Sequence, residues 1–189
     1  MRWNSYCVVG YVLVSPYQYL SIADFLELRI RWFFHSEHGL DNRIRAYLLP
    51  SRREIGVLRK LSPHRRKFSI LHEIGHYVNL AHWELNSSKM IVDDDKLLKD
   101  SSVVAREIEA NRFAAHCIFQ LDRFQSDVSS VHTSWSHISS FARIYDTSVI
   151  ATARRWVEGS HVSCALLVFV PDSLGQSDAL RFSYYDRIR

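Results

Sequence analysis

The sequence predicts an α+β fold with a small mixed sheet, two long helices, and a C-terminal group of short helices and a hairpin. Three observations predict it. Ile44 to Leu49 and Glu54 to Leu58 are short apolar runs separated by Pro50-Ser51, which reads as two strands and a break. Ser62-Pro63 then opens a long helical pattern. Ser is a preferred N-cap, and Pro suits the first helical position, where its missing N–H would have had no partner. A second helical pattern begins at Asp100 or Ser101.

Taken in order, Tyr6 to Val14 is rich in β-branched and aromatic residues and reads as a strand ended by Ser15-Pro16. Its apolar part is short for a secretory leader and no small-x-small cleavage site follows. Ser21 and Asp24 have capping-box spacing, and Ile22, Phe25, Leu26, Ile30 and Phe33 recur with helical period. A helix over 22–35, closed by Gly39, is expected. The helix opened by Pro63 should run to about Trp83, with Phe68, Leu71, Tyr77 or Val78, and Leu80 on its apolar side.

Residues 86–100 are polar and include Asp93-Asp94-Asp95, so they read as a solvated loop with a short apolar segment at Met90-Ile91-Val92. The next helix carries Val104, Ala114 or Ala115, and Ile118 along one face. Short helices are expected over 135–142 and 148–158, the second capped by Thr147 or Ser148 and stopped by Gly159. Cys164 to Val170 reads as a buried strand, and 180–185 as its hairpin partner. The expected division is a main domain over 1–125 and a helical and hairpin appendage over 126–189.

Composition is that of an ordinary globular chain, with 47% hydrophobic and 23% charged residues. A net charge of +4 over 189 residues is mildly basic, which permits a polyanionic partner without requiring one. Three scattered cysteines with no Cys-x-x-Cys pair argue against a disulfide framework and for a reducing cytoplasm. No run approaches the ~20 apolar residues that a membrane helix needs, so no membrane partner is expected.

The chemistry concentrates in His72-Glu73-Ile74-Gly75-His76. Residues four apart on a helix sit about 40° apart around its axis, so His72 and His76 point the same way and can share one metal ion. His-Glu-x-x-His is the zinc-peptidase pattern, in which the Glu serves as general base. Gly75 lets another backbone come close. On the second helix Glu107 and Asn111, four apart, interrupt an apolar stripe, and polar groups so placed need a partner. Glu107 and Glu109 lie about 200° apart, so only one of them can face a shared ion. Glu107 is preferred as third ligand because it shares its face with the stripe, with Glu109 as the alternative. Asn111 would then hydrogen-bond the second nitrogen of a ligating histidine and fix its tautomer. His82, His116, His132, His137 and His161 lack ligand spacing.

Arg65-Arg66-Lys67-Phe68-Ser69-Ile70-Leu71-His72-Glu73-Ile74-Gly75-His76, followed by Glu107-Ile108-Glu109-Ala110-Asn111-Arg112-Phe113-Ala114-Ala115, resembles the ImmA/IrrE family of zinc metallopeptidases. The resemblance spans about residues 44–120. It implies a zincin-like domain in which His72, His76 and Glu107 bind zinc, or another divalent ion such as manganese, and Glu73 is the general base. It also implies a protein substrate, a helix-turn-helix repressor. The second motif departs from the family's Leu-Leu-Met-Pro continuation: it reads His116-Cys117-Ile118-Phe119-Gln120, without proline, so a different exit from that helix is expected.

The expected activity is zinc-dependent endoproteolysis of a regulatory protein. The substrate would lie extended along a sheet edge, for which Glu54 to Leu58 is the candidate strand. Tyr77 and His82 are the candidates for stabilising the oxyanion. The basic cluster of Arg52-Arg53, Arg59-Lys60 and His64 to Lys67 reads as a solvated face, with docking of an acidic protein segment or of DNA as its functional alternative. The rival class is a DNA-binding or protein-binding regulatory module with a structural metal site, using the helices at 135–158 and Arg143, Arg154 and Arg155. Direct nucleic-acid binding is the weaker expectation, because a structural site needs no general base at Glu73.

Overall fold

The computed structural model describes residues 18–34, 44–79, 91–92, 101–120, 122–160, 163–171 and 180–187. The expected strand at 6–14, Gly39, the 80–83 helix tail, the Asp93–Asp95 run, His82 and His161 lie outside them. The chain divides into two compact units, 1–115 and 116–189.

The first unit opens with helix α1 (Gln18–Phe25) and strand β1 (Arg29–Phe33). This corrects the single helix expected over 22–35. Glu27 adopts a left-handed conformation, φ 55°, and Leu28 N–H donates to Ala23 O at 2.8 Å while Glu27 N–H donates to Asp24 O at 3.0 Å. These two bonds close the helix in a Schellman-type turn. Ser21 falls inside α1, so it is not the cap. Beyond the turn, Ile30, Trp32 and their neighbours alternate in exposure as a strand does.

Strands β2 (Ala46–Leu49) and β3 (Glu54–Leu58) match their expected places. Pro50 starts a single 3-10 turn over Pro50–Arg52, and Arg53, also left-handed at φ 49°, returns the chain into β3. The Arg53 side chain pairs with Glu27, tying the two left-handed positions together. Strand β4 (Ile91–Val92) completes a mixed sheet of order β1-β3-β2-β4, parallel between β1 and β3 and antiparallel elsewhere. Gly56 is required where it stands: a Cβ there would overlap the ring of Tyr47, its cross-strand partner.

Sheet order also corrects one expectation. β3 is central, hydrogen-bonded to β1 on one side and β2 on the other, so it offers no edge to an added strand. The strand next to the long helix in sequence is not the strand at the margin of the sheet.

Helix α2 (Pro63–Val78) packs against β2 and β3. Ser62 is its N-cap residue by conformation, with Pro63 at the first position. It ends at Val78 with Asn79 as cap, short of Trp83. Ile70, Leu71 and Ile74 are buried, whereas Phe68 is exposed at the margin. Helix α3 (Ser101–Phe119) follows. It stops at Gln120, in a left-handed conformation at φ 50°, which turns the chain without a proline.

In the second unit an unexpected helix, α4 (Asp122–Ser129), buries Phe124 and Val128, four apart. Helix α5 (Trp135–Ile144) is capped by Ser134 and α6 (Val149–Glu158) by Ser148, whose hydroxyl accepts from Ala151 N–H at 3.2 Å. Phe119, Phe124, Phe141, Tyr145 and Trp156 form the aromatic core of this unit, with ring centroids 4.8–6.4 Å apart between neighbours. Strands β5 (Ala165–Pro171) and β6 (Leu180–Arg187) form an antiparallel hairpin against α6. β5 is not the buried strand expected: Leu167 and Phe169 are half exposed, because a two-stranded sheet covers one face only. No helix among the described residues is long and apolar enough to cross a membrane.

Candidate metal centre

The first unit brings three of the predicted side chains to one point. His72 and His76, one turn apart on α2, set their Nε2 atoms 3.0 Å apart. From α3, Glu107 places Oε2 3.1 Å from His72 Nε2 and Oε1 3.3 Å from His76 Nε2. Both imidazoles are almost wholly buried, and the Glu107 side chain is one-fifth exposed.

The close approach of α3 depends on Gly75. A Cβ there would stand 3.1 Å from the Ala110 Cα and 3.2 Å from the Phe113 Cβ. Ala110 and Ala114 supply the matching small residues on α3, both fully buried. Small side chains on each helix thus let the glutamate carboxylate reach the histidine pair.

His72 Nδ1 lies 3.0 Å from Asn111 Oδ1. When Nδ1–H donates to that oxygen, the lone pair of Nε2 is directed at Glu107 and His76, as a ligand requires. Asn111 itself is exposed rather than buried in the stripe. Glu109, the alternative third ligand, is engaged elsewhere: its Oε2 accepts from Asn79 Nδ2 at 2.8 Å. That bond ties the cap of α2 to α3.

Electrostatics suit a cation. Burial alone would raise the pKa of Glu107, but hydrogen bonds from His72 and His76, and their charge, hold it at about 2. His76 shifts down, first because it is buried, against the hydrogen bond to Glu107 that favours its charged form. Arg106 adds positive charge near His76 in the same direction. Glu107 is therefore ionised and His76 favours its neutral form, the states that bind metal.

The donor set passes a simple test of fit. Ligand atoms about 2.0–2.1 Å from a tetrahedral ion lie roughly 3.3 Å from one another. The two imidazole nitrogens are 3.0 Å apart, and each has a different Glu107 oxygen near that spacing, Oε2 at 3.1 Å from His72 Nε2 and Oε1 at 3.3 Å from His76 Nε2. Two imidazole nitrogens and a carboxylate oxygen are also ligands that zinc accepts. They are the one His/Cys/Asp/Glu group of this kind among the described residues.

Glu73, one step round α2 from His72, is 1% exposed. Tyr77 is half-buried on α2. Sequence reasoning missed the Asn79–Glu109 bond, for which no spacing rule exists because it joins different helices. Cys117 and Cys164 are free thiols.

A solved structure described as a Mycobacterium tuberculosis transcriptional regulator has the same fold. Its TM-score is 0.57 at 15% identity, with 88% of this chain and 49% of that one covered. The chain spans about half the length of that structure, and at this identity the likeness is one of fold. No curated protein matches the chain. The family model of the IrrE N-terminal-like domain, Peptidase_M78, matches residues 27–157, more than half of the sequence and including every residue of the candidate centre. The chain therefore belongs to the IrrE N-terminal-like domain family of peptidases.

Proposed function

We propose that the protein is a zinc-dependent endopeptidase of the cytoplasm that cleaves a regulatory protein, a helix-turn-helix repressor being the best candidate. The observation that carries this reading is the convergence of His72, His76 and Glu107 within ligand distance of one another. Those three residues would hold the ion, and Asn111 would keep His72 in the ligating tautomer.

Zinc held by three protein ligands supplies an acidified water and a Lewis acid for the scissile carbonyl. Glu73 is the general base: its carboxylate takes a proton from the attacking water and later delivers it to the leaving amide nitrogen. It is buried on α2 next to His72, one step round the helix from a candidate ligand. The match to a peptidase family supports the same class of chemistry. A purely structural site would need the ligands but not Glu73.

Metal analysis tests the site. The purified protein should hold about one zinc per chain, and Glu107→Ala should lose it. A wild-type protein that binds neither zinc nor manganese under saturating conditions would overturn the assignment.

A further inference from the structure

The two ends of the first unit's sheet differ in how their cations are paired. Where β3 begins, Glu54 faces Arg29 and Arg31, and Glu27 pairs with Arg53. The opposite end of the sheet carries Arg45, Arg59 and Lys60, with Arg65 and Arg66 in the first turn of α2. Among the described residues none of these five has a carboxylate partner. Four of them are exposed and Arg66 is half exposed.

Chain proximity gathers them at this end of the sheet. Leu58 N–H donates to Arg45 O at 2.8 Å, which sets the start of β2 beside the end of β3. Arg66 Nη2 donates to Arg59 O and Leu61 O, each at 3.3 Å. The Arg66 guanidinium lies 4.8 Å over the Trp32 ring, and that of Arg59 5.3 Å over Phe34. These ring contacts hold two of the cations in place while leaving their charge unneutralised. The first turn of α2 carries no acidic residue. Clustered cations there oppose the helix dipole and repel one another, so it is their charge that does not serve stability.

We infer that this end of the sheet is a docking surface for an acidic segment of the protein substrate. The inference rests on the proposed peptidase reading, and it names a feature of the substrate. Arg65 and His72 are seven residues apart on one helix, about 10 Å along its axis. An extended chain covers that span in about three residues. An acidic block a few residues from the scissile bond would therefore reach the cations while the bond lies at Glu73. A straight DNA duplex gains nothing from that proximity, whereas a peptide does.

The test measures binding apart from cleavage. Zinc-loaded Glu73→Gln protein is titrated into a fluorescent peptide with an acidic block and into its Asn/Gln counterpart. The acidic peptide should bind more tightly, and less so as salt rises. Adding Arg65→Glu with Arg59→Glu should weaken it about tenfold. Arg143→Glu with Arg154→Glu, two exposed charge reversals on α5 and α6, should leave binding unchanged. Equal loss from both sets of changes would overturn the surface, as would displacement of the peptide by duplex DNA of the same total charge. Because binding is read without turnover, absence of peptidase activity would count against the enzyme reading and leave this result standing.

Discussion

The His72 Nδ1 atom lies 3.0 Å from the Asn111 side-chain oxygen, across the junction of α2 and α3. With Nδ1–H as the donor, that contact leaves Nε2 of His72 to face Glu107 and His76. Replacing Asn111 with Ala should lower zinc affinity by about 10–100-fold. Competition with a chromogenic chelator measures it. Asn111→Asp should restore part of the loss, because a carboxylate also accepts from Nδ1–H. An unchanged affinity in Asn111→Ala would mean that the bond does not set the tautomer.

At Gly75 the backbone of α3 comes close to α2, so Gly75→Ala should act on the centre without touching a ligand. The added methyl would press on the Ala110 and Phe113 atoms 3.1–3.2 Å away. Overpacking of this kind costs about 1–3 kcal/mol. The same displacement would move Glu107 from the histidines. Urea unfolding should show the loss of stability and chelator competition a parallel loss of affinity. Loss of stability alone would show that α3 yields without moving its glutamate.

Metal-free protein should lose stability in acid in a defined order. The folded pKa of His76 lies below its ordinary 6.5, and that of Glu107 lies at about 2 against an ordinary 4.5. In each case the unfolded chain binds the proton more readily, so stability falls as pH falls. The contribution is complete above pH 6.5, declines first through His76, and declines again from 4.5 towards 2 through Glu107. Thermal melts of chelator-treated protein across this range should show both phases. Glu107→Gln should remove the lower one.

In the second unit, Tyr145 donates its hydroxyl to Asp127 Oδ2 at 2.7 Å from within the aromatic core. Burial, then this bond to Asp127, raises the phenol pKa above its ordinary value. Tyr145→Phe should cost about 1.5 kcal/mol in urea unfolding, the lower end of the range for a bond to a charged group, because Asp127 is partly exposed. Zinc content should not change, since no ligand lies in this unit.

The candidate centre was legible because its signals are local. Ser62-Pro63 fixes where α2 starts, and four-residue spacing puts His72 with His76 and Glu107 with Asn111. Nothing local distinguishes β3 as a central strand, since strand order depends on chain pairings far apart in sequence. The segment 22–33 misled for a different reason. Ile22, Phe25, Leu26, Ile30 and Phe33 satisfy a helical period, while the turn at Glu27 demands a left-handed residue that no glycine announces. α4 was hidden because its apolar face is two residues, Phe124 and Val128, too few to establish a period. The exposed face of β5 could not be read either, since its apolar run resembles that of a strand covered on both sides.

The most direct measurement compares wild type with Glu73→Gln, both loaded with zinc and incubated with a candidate helix-turn-helix repressor. The Gln side chain keeps the shape of Glu73 but cannot take a proton from water. The account predicts equal zinc content and folding, discrete cleavage products from the wild type, and none from the variant. Equal cleavage by both proteins would contradict it.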